Sequence, residues 1–120
     1  MSDGLEMVRR EGYLHLTISG DFNPTAAKHA VDALADRCSK EQCYKVLFDC
    51  RSVLGEMPGP DRYELAQYGA RVLGPKIKSA MLAREDQISP DRFFENVAVN
   101  RGLNLKVFSD INEAVGWLNG

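Results

Sequence analysis

The stretch Gly102-Leu103-Asn104-Leu105-Lys106-Val107-Phe108-Ser109-Asp110-Ile111-Asn112-Glu113-Ala114-Val115-Gly116-Trp117-Leu118 decides the fold class, because it reads as helix stop, strand, cap and helix in immediate succession. Gly102 can take the left-handed conformation that ends a helix at little cost. Leu105 to Phe108 is a short apolar strand. Asp110 stands where a side-chain oxygen accepts the first free amides of a helix, and Glu113, three residues on, fits the reciprocal half of a capping box. Ile111, Ala114, Val115 and Leu118 then fall on one helical face. A strand feeding a capped helix in this way is half of a βαβ unit.

The same grammar repeats upstream. Ser89-Pro90 predicts a helix start, with Phe93, Phe94, Val97 and Ala98 as its apolar stripe and Gly102 as its stop. Ile77 to Ala83 predicts a strand with Ala80 and Leu82 on one face and Ile77 and Met81 on the other. Gly74-Pro75 ends a helix that begins at about Asp61, reaches Leu73 and buries Leu65, Ala66, Gly69, Val72 and Leu73. Before it, Arg51 to Pro60 predicts the longest irregular loop, broken by Gly55, Pro58, Gly59 and Pro60. Lys45-Val46-Leu47-Phe48-Asp49-Cys50 has the nearly unbroken apolar run of a central strand covered on both faces. A helix opens at Asn23-Pro24, its stripe Ala27, Ala30, Val31, Leu34, Ala35 and Cys38 facing inward and Asp32, Asp36, Arg37 and Lys40 left to solvent. The chain starts with two alternating strands, Leu5 to Arg10 and Tyr13 to Ser19, joined through Glu11-Gly12 as an antiparallel hairpin. Leu14, Leu16 and Ile18 share one face of the second, and Tyr13, His15 and Thr17 the other. The expectation is an α/β fold with a single, mostly parallel sheet, an antiparallel N-terminal hairpin at its edge and about four flanking helices.

A chain of 120 residues, 44% hydrophobic and 27% charged, has room for one core, so residues 1–120 are expected to form one domain. A formal net charge of -2 gives no basic surface for nucleic acid. Met1-Ser2-Asp3-Gly4-Leu5-Glu6 lacks the basic run and apolar core of a signal peptide, and no apolar run approaches the roughly 18 residues of a membrane span. A cytoplasmic location is the expectation. Cys38, Cys43 and Cys50 form an odd set that reads as reduced thiols, and no further ligands accompany Cys38 and Cys43 to make a zinc site.

Ligands of open parallel sheets sit beyond the carboxyl ends of the strands. That rule selects Asp49 and Arg51, then Arg84, Glu85 and Asp86, then Ser109 and Asp110. Arg51 and Arg84 there could hold an anion; alternatively Asp49 accepts loop amides and the arginines pair with neighbouring carboxylates on a solvated rim. Cys50 is the one thiol at a strand's end, where Arg51 would favour its thiolate, but His15 and His29 lie elsewhere and no catalytic constellation forms. Glu85-Asp86 and the i, i+4 pair Asp32 and Asp36 read as solvation. Gly55 and Gly59 lack the spacing of a phosphate loop, so no ATP, NAD or other cofactor is implied. The reading is of a protein without enzymatic chemistry.

Val46-Leu47-Phe48-Asp49-Cys50-Arg51, Phe93-Phe94-Glu95 running to Arg101-Gly102, and Val107-Phe108-Ser109-Asp110 with Glu113-Ala114 and Trp117-Leu118 resemble the SpoIIAA-like, or STAS/SEC14-like, family. The resemblance spans most of the chain and implies a SpoIIAA-like (STAS-like) fold. It also implies a regulatory module, since the wider STAS group includes anti-sigma-factor antagonists switched by a phosphorylatable serine in an Asp-Ser-Ser-Gly-type motif opening the helix after the third strand. That motif is absent here, and Ser52 is the one serine of the corresponding segment, placed in the predicted loop ahead of the helix. The other branch of the family implies a small apolar or lipidic ligand between helices and sheet, where Phe93, Phe94 and Trp117 are candidates to line the cleft if they do not simply fill the core. Two functions are therefore carried forward. One is regulatory interaction with a protein partner through Arg51 to Pro60, and the other is binding of an apolar ligand. The edge hairpin and Met57-Pro58-Gly59-Pro60 offer surfaces for a homodimer.

Overall fold

The computed structural model describes residues 4–120; Met1, Ser2 and Asp3, part of the amino-terminal reading, lie outside the described residues. The chain runs β1 (Gly4–Arg9), β2 (Leu14–Asp21), α1 (Pro24–Glu41), β3 (Lys45–Leu54), α2 (Gly59–Leu73), β4 (Lys78–Leu82), α3 (Phe93–Asn100), β5 (Leu105–Phe108) and α4 (Ile111–Asn119), with a 3-10 turn at Glu85–Gln87. Its five strands lie in the order β1-β2-β3-β4-β5, β1 antiparallel to β2 and each later neighbour parallel. The expected α/β architecture is the observed one. Among the described residues no helix is long and apolar enough to cross a membrane.

Strand alternation sorts the side chains between two unequal layers. Leu14, Leu16, Val46, Phe48 and Val107 face α1, α2 and α3, meeting Ala30, Val31, Leu34, Ala66, Leu73 and Ala98 in the larger core. On the other face Leu47, Ala80, Leu82 and Phe108 meet Ala114 and Leu118 of α4, with Tyr13 closing the cluster. One short helix cannot span the sheet, and the α4 face of β1 and β2 carries Glu6, His15, Thr17 and Ser19 together with Val8.

Local signals explain the boundaries. Asn23 caps α1 by accepting the Ala26 amide at 3.0 Å, and Asp110 caps α4 by accepting those of Asn112 and Glu113 at 2.7 and 3.3 Å. Gly12 turns the hairpin at φ 88° and Gly102 ends α3 at φ 98°.

The structure departs from the sequence reading in three places. The hairpin strands are displaced by a residue or two, to Gly4–Arg9 and Leu14–Asp21. The predicted loop Arg51 to Pro60 begins as strand, since β3 continues to Leu54, and ends as helix from Gly59, so the irregular segment is only residues 55–58. β2 supplies the reason, because it pairs onward through Ser19↔Ser52 to Asp21↔Leu54 across a bulge that places an extra β3 residue between Asp49 and Ser52. The third departure is α3, which starts at Phe93 rather than at Pro90. The chain first turns through Asp91 to Arg92, whose φ of 52° is left-handed, and Ser89 Oγ accepts the Phe93 amide at 3.1 Å.

Candidate functional site

Between the three-helix layer and the sheet lies a cleft of about 650 Å³, within the usual size of small-molecule sites. Ile18, Phe48, Cys50, Met81 and Val107 form its floor. Ala27, Ala30 and Val31 of α1, Leu65, Gly69 and Leu73 of α2, and Phe94 of α3 form its walls. Its mouth is at the carboxyl ends of β2, β3 and β4, where Phe22, Met57 and Ile88 stand beside Arg62, Arg84 and Gln87. The mouth lies at the strand ends where ligands of open parallel sheets bind, although α1, α2 and α3 all cover one face and the strand order has no reversal. A second, shallower depression of about 430 Å³ lies at the opposite end, but two of its lysines are engaged. Lys76 sits 4.3 Å from the Tyr44 ring centre and Lys78 donates to the Trp117 carbonyl at 2.6 Å.

The residues selected from the sequence do not meet at one point. Arg84 donates through Nη1 to the carbonyls of Arg51 and Val53, and through Nε to Asp86 at 3.1 Å. Gln87 Nε2 donates to the Cys50 carbonyl at 2.8 Å. β3 pairs with β4 only as far as Asp49↔Leu82, and Arg84 with Gln87 satisfies the carbonyls of the strand that outruns it. The Arg51 side chain instead grips Asp49, with Nε to Oδ1 at 3.0 Å and Nη2 to Oδ2 at 2.9 Å.

Asp49 is also joined by His15, which the sequence reading left in the hairpin without a role. Parallel register sets Thr17 against Asp49 and His15 against Leu47, so these side chains share the sheet face beyond α4. His15 Nε2 lies 3.1 Å from Asp49 Oδ2, and Arg10 Nε donates to His15 Nδ1 at 3.4 Å. The Arg10 donor assigns the tautomer, Nδ1 accepting and Nε2–H donating to the carboxylate. Burial pushes the Asp49 carboxyl up, but hydrogen bonds from Arg51 and His15 and the Arg51 charge outweigh it and hold the group below the usual carboxylate range.

Cys50 requires a correction. Its thiol faces the cleft floor, away from the Arg51 side chain; burial first, and the Asp49 charge second, push it up to about 12. A thiol so placed is protonated at neutral pH and not a poised nucleophile. Cys38 is likewise pushed up to about 11, chiefly by burial beside Cys43. Ser52 is an exposed β3 residue rather than a loop residue, and α2 begins seven positions later at Gly59. Phe94 lines the cleft, whereas Trp117 packs on the other face with its ring centre 5.8 Å from that of Phe108.

Arg62 is the functional candidate the sequence reading passed over. It precedes Leu65, Gly69 and Leu73 on the same α2 stripe and lines the cleft with them. The three-four spacing was the available signal, but a charged residue in a first helical turn resembles an ordinary solvated position.

No protein-family model matches the chain, and no curated protein matches it significantly. Solved structures do. An anti-sigma factor antagonist from Mycobacterium paratuberculosis superposes with a TM-score of 0.70 at 12% identity, over 99% of this chain and 96% of that one. An uncharacterised protein with a SpoIIAA-like fold from Shewanella loihica superposes with a TM-score of 0.59 at 17% identity, over 98% and 94% of the two chains. At such identities the likeness is one of fold, and the chain has the SpoIIAA-like fold.

Proposed function

We propose that the protein is a non-catalytic regulatory module that binds a small apolar ligand in the cleft under α1, α2 and α3. The observation that carries this reading is the cleft itself, about 650 Å³ walled by Ala, Val, Leu, Phe and Met side chains and open at the strand ends. The absence of chemistry in this reading rests on the protonated Cys50 thiol and on a His15 imidazole held between Arg10 and Asp49. Native mass spectrometry of freshly purified protein tests it, together with titration by the neutral apolar fluorophore N-phenyl-1-naphthylamine. An added mass lost on denaturation, or saturable probe binding at one site, is the expected result. A clean apo mass together with no saturable binding overturns it.

A second reading, capture of a protein partner around residues 51–60, is favoured by the exposure of Leu54 within that segment and of Tyr63 just after it, 55% and 39%. The anti-sigma factor antagonist of the same fold lends it support. It predicts that Leu54→Ser with Tyr63→Ser weakens partner cross-linking and leaves probe binding intact.

A further inference from the structure

The α2 wall of the cleft is charged at one end and apolar along the rest. Arg62, Leu65, Gly69 and Leu73 follow one another at steps of three or four residues, so they form one stripe that starts at the mouth and descends into the crevice. From Arg62 to Leu73 the helix rises about 16 Å at 1.5 Å per residue. Gly69 adds no side chain to this stripe, and a Cβ there would only come into ordinary contact with Leu103 Cδ2 at 3.7 Å.

Arg62 also differs from the other two arginines at this mouth. Arg84 pairs with Asp86, and Arg92 pairs with Glu95 at 3.1 Å. Arg62 donates from Nε to the Met57 carbonyl at 2.9 Å and has no carboxylate partner among the described residues. That one bond orients the guanidinium and leaves its two Nη groups as a fork at the edge of an apolar crevice. Partial burial raises the cost of an unpaired cation, and a carboxylate or phosphate engages such a fork through two parallel hydrogen bonds.

Building on the apolar-ligand reading, we infer that the ligand is an anionic amphiphile: its carboxylate or phosphate head is held by Arg62, and its alkyl chain lies along Leu65, Gly69 and Leu73. The test displaces N-phenyl-1-naphthylamine with dodecanoate, dodecyl phosphate and the uncharged dodecanol, each below its micelle-forming concentration. The expected result is that at least one anion competes roughly tenfold or more better than dodecanol, the gain of one charge-assisted pair. The tighter of the two anions identifies the head. Arg62→Gln brings the anion-to-alcohol ratio to within twofold, Arg62→Lys retains part of it, and Arg71→Gln, outside the cleft, leaves it as in the wild type. Equal competition by all three compounds, or a preference that survives in Arg62→Gln, overturns the head-group inference while the apolar cleft stands. Failure of every compound and of the probe itself overturns the cleft reading instead. Circular dichroism of each variant, matching the wild type, ties a lost preference to the missing guanidinium.

Discussion

Replacing Asp49 by Asn keeps the size of the side chain and removes its charge, and the structure sets how much that costs. In the wild type Oδ2 faces His15 Nε2 at 3.1 Å and Arg51 Nη2 at 2.9 Å, while Oδ1 accepts from Arg51 Nε at 3.0 Å. Asn offers one oxygen and turns an amide NH2 toward groups that are themselves donors. The Arg51 side chain is 43% exposed, so water screens its pair and the loss on that side is at the surface level of at most about 1 kcal/mol. The His15 side chain is 10% exposed, and leaving its Nε2–H without an acceptor costs about 1–3 kcal/mol. Together they predict a deficit of about 1–4 kcal/mol at neutral pH, or a fall in Tm of roughly 4–16 °C for a domain of this size. Its pH dependence follows from the lowered Asp49 pKa. A carboxyl held below its unfolded value of about 3.9 contributes stability above that pH and loses it as pH falls through the folded value. Asn carries no such dependence, so the gap between the two proteins should be full above about pH 5 and narrow as pH falls below the unfolded carboxylate value. Urea denaturation from pH 3 to pH 8 measures this. A gap under about 0.5 kcal/mol at pH 7, or one that persists unchanged into acid, refutes the reasoning.

Three further outcomes follow from named contacts. With its thiol pushed up to about 12, Cys50 should react with Ellman's reagent at pH 7.5 at least about a hundredfold more slowly in the folded protein than in denaturant, and equal rates would restore it as a nucleophile. On β5, the outward Val107 amide donates to Glu95 Oε2 at 2.7 Å and Arg92 Nη1 reaches the Val107 carbonyl at 3.2 Å; Glu95→Ala should cost about 1–3 kcal/mol and increase light scattering on heating, and unchanged behaviour in both would show that this edge needs no guard. Leu34→Ala, at a fully buried site between α1 and the sheet, should cost about 2–5 kcal/mol by chemical denaturation, whereas Val99→Ala, 48% exposed, should stay within about 0.5; similar values for the two would contradict the assigned core.

Where a signal is local, the sequence carried it through to the structure. Alternation assigned Leu14, Leu16 and Ile18 to one face of β2 and Tyr13, His15 and Thr17 to the other, and separated Ala80 and Leu82 from Ile77 and Met81. Asn23 and Asp110 cap the helices they precede. β3 was cut short for a physical reason: Gly55, Pro58, Gly59 and Pro60 are strong breakers, and their influence was carried back to Arg51. Nothing local reports that β2 extends to Asp21 and offers Ser52, Val53 and Leu54 a partner edge. The Ser89-Pro90 signal is displaced, because Ser89 Oγ accepts the first helical amide, that of Phe93, while the N-cap position is the left-handed Arg92. His15 and Asp49 stand 34 residues apart, and their meeting depends on parallel register that neither segment encodes alone.

Arg84 and Arg62 show what the strand-end rule leaves uncounted. The rule counts cations beyond the carboxyl ends of parallel strands, but backbone carbonyls have the first claim on their donors. β3 outruns β4, and the exposed carbonyls of Cys50, Arg51 and Val53 must find donors or stay unpaired near an apolar crevice. Arg84 and Gln87 meet that demand, and Asp86 takes what remains of the Arg84 charge. Arg62 meets a smaller demand, the one Met57 carbonyl, and its remaining donors are left at the mouth. A cation therefore serves a ligand only after the unpaired carbonyls around it have been counted. By that count Arg62 of α2, rather than the arginines at the ends of β3 and β4, is the cation left for the anionic ligand we infer.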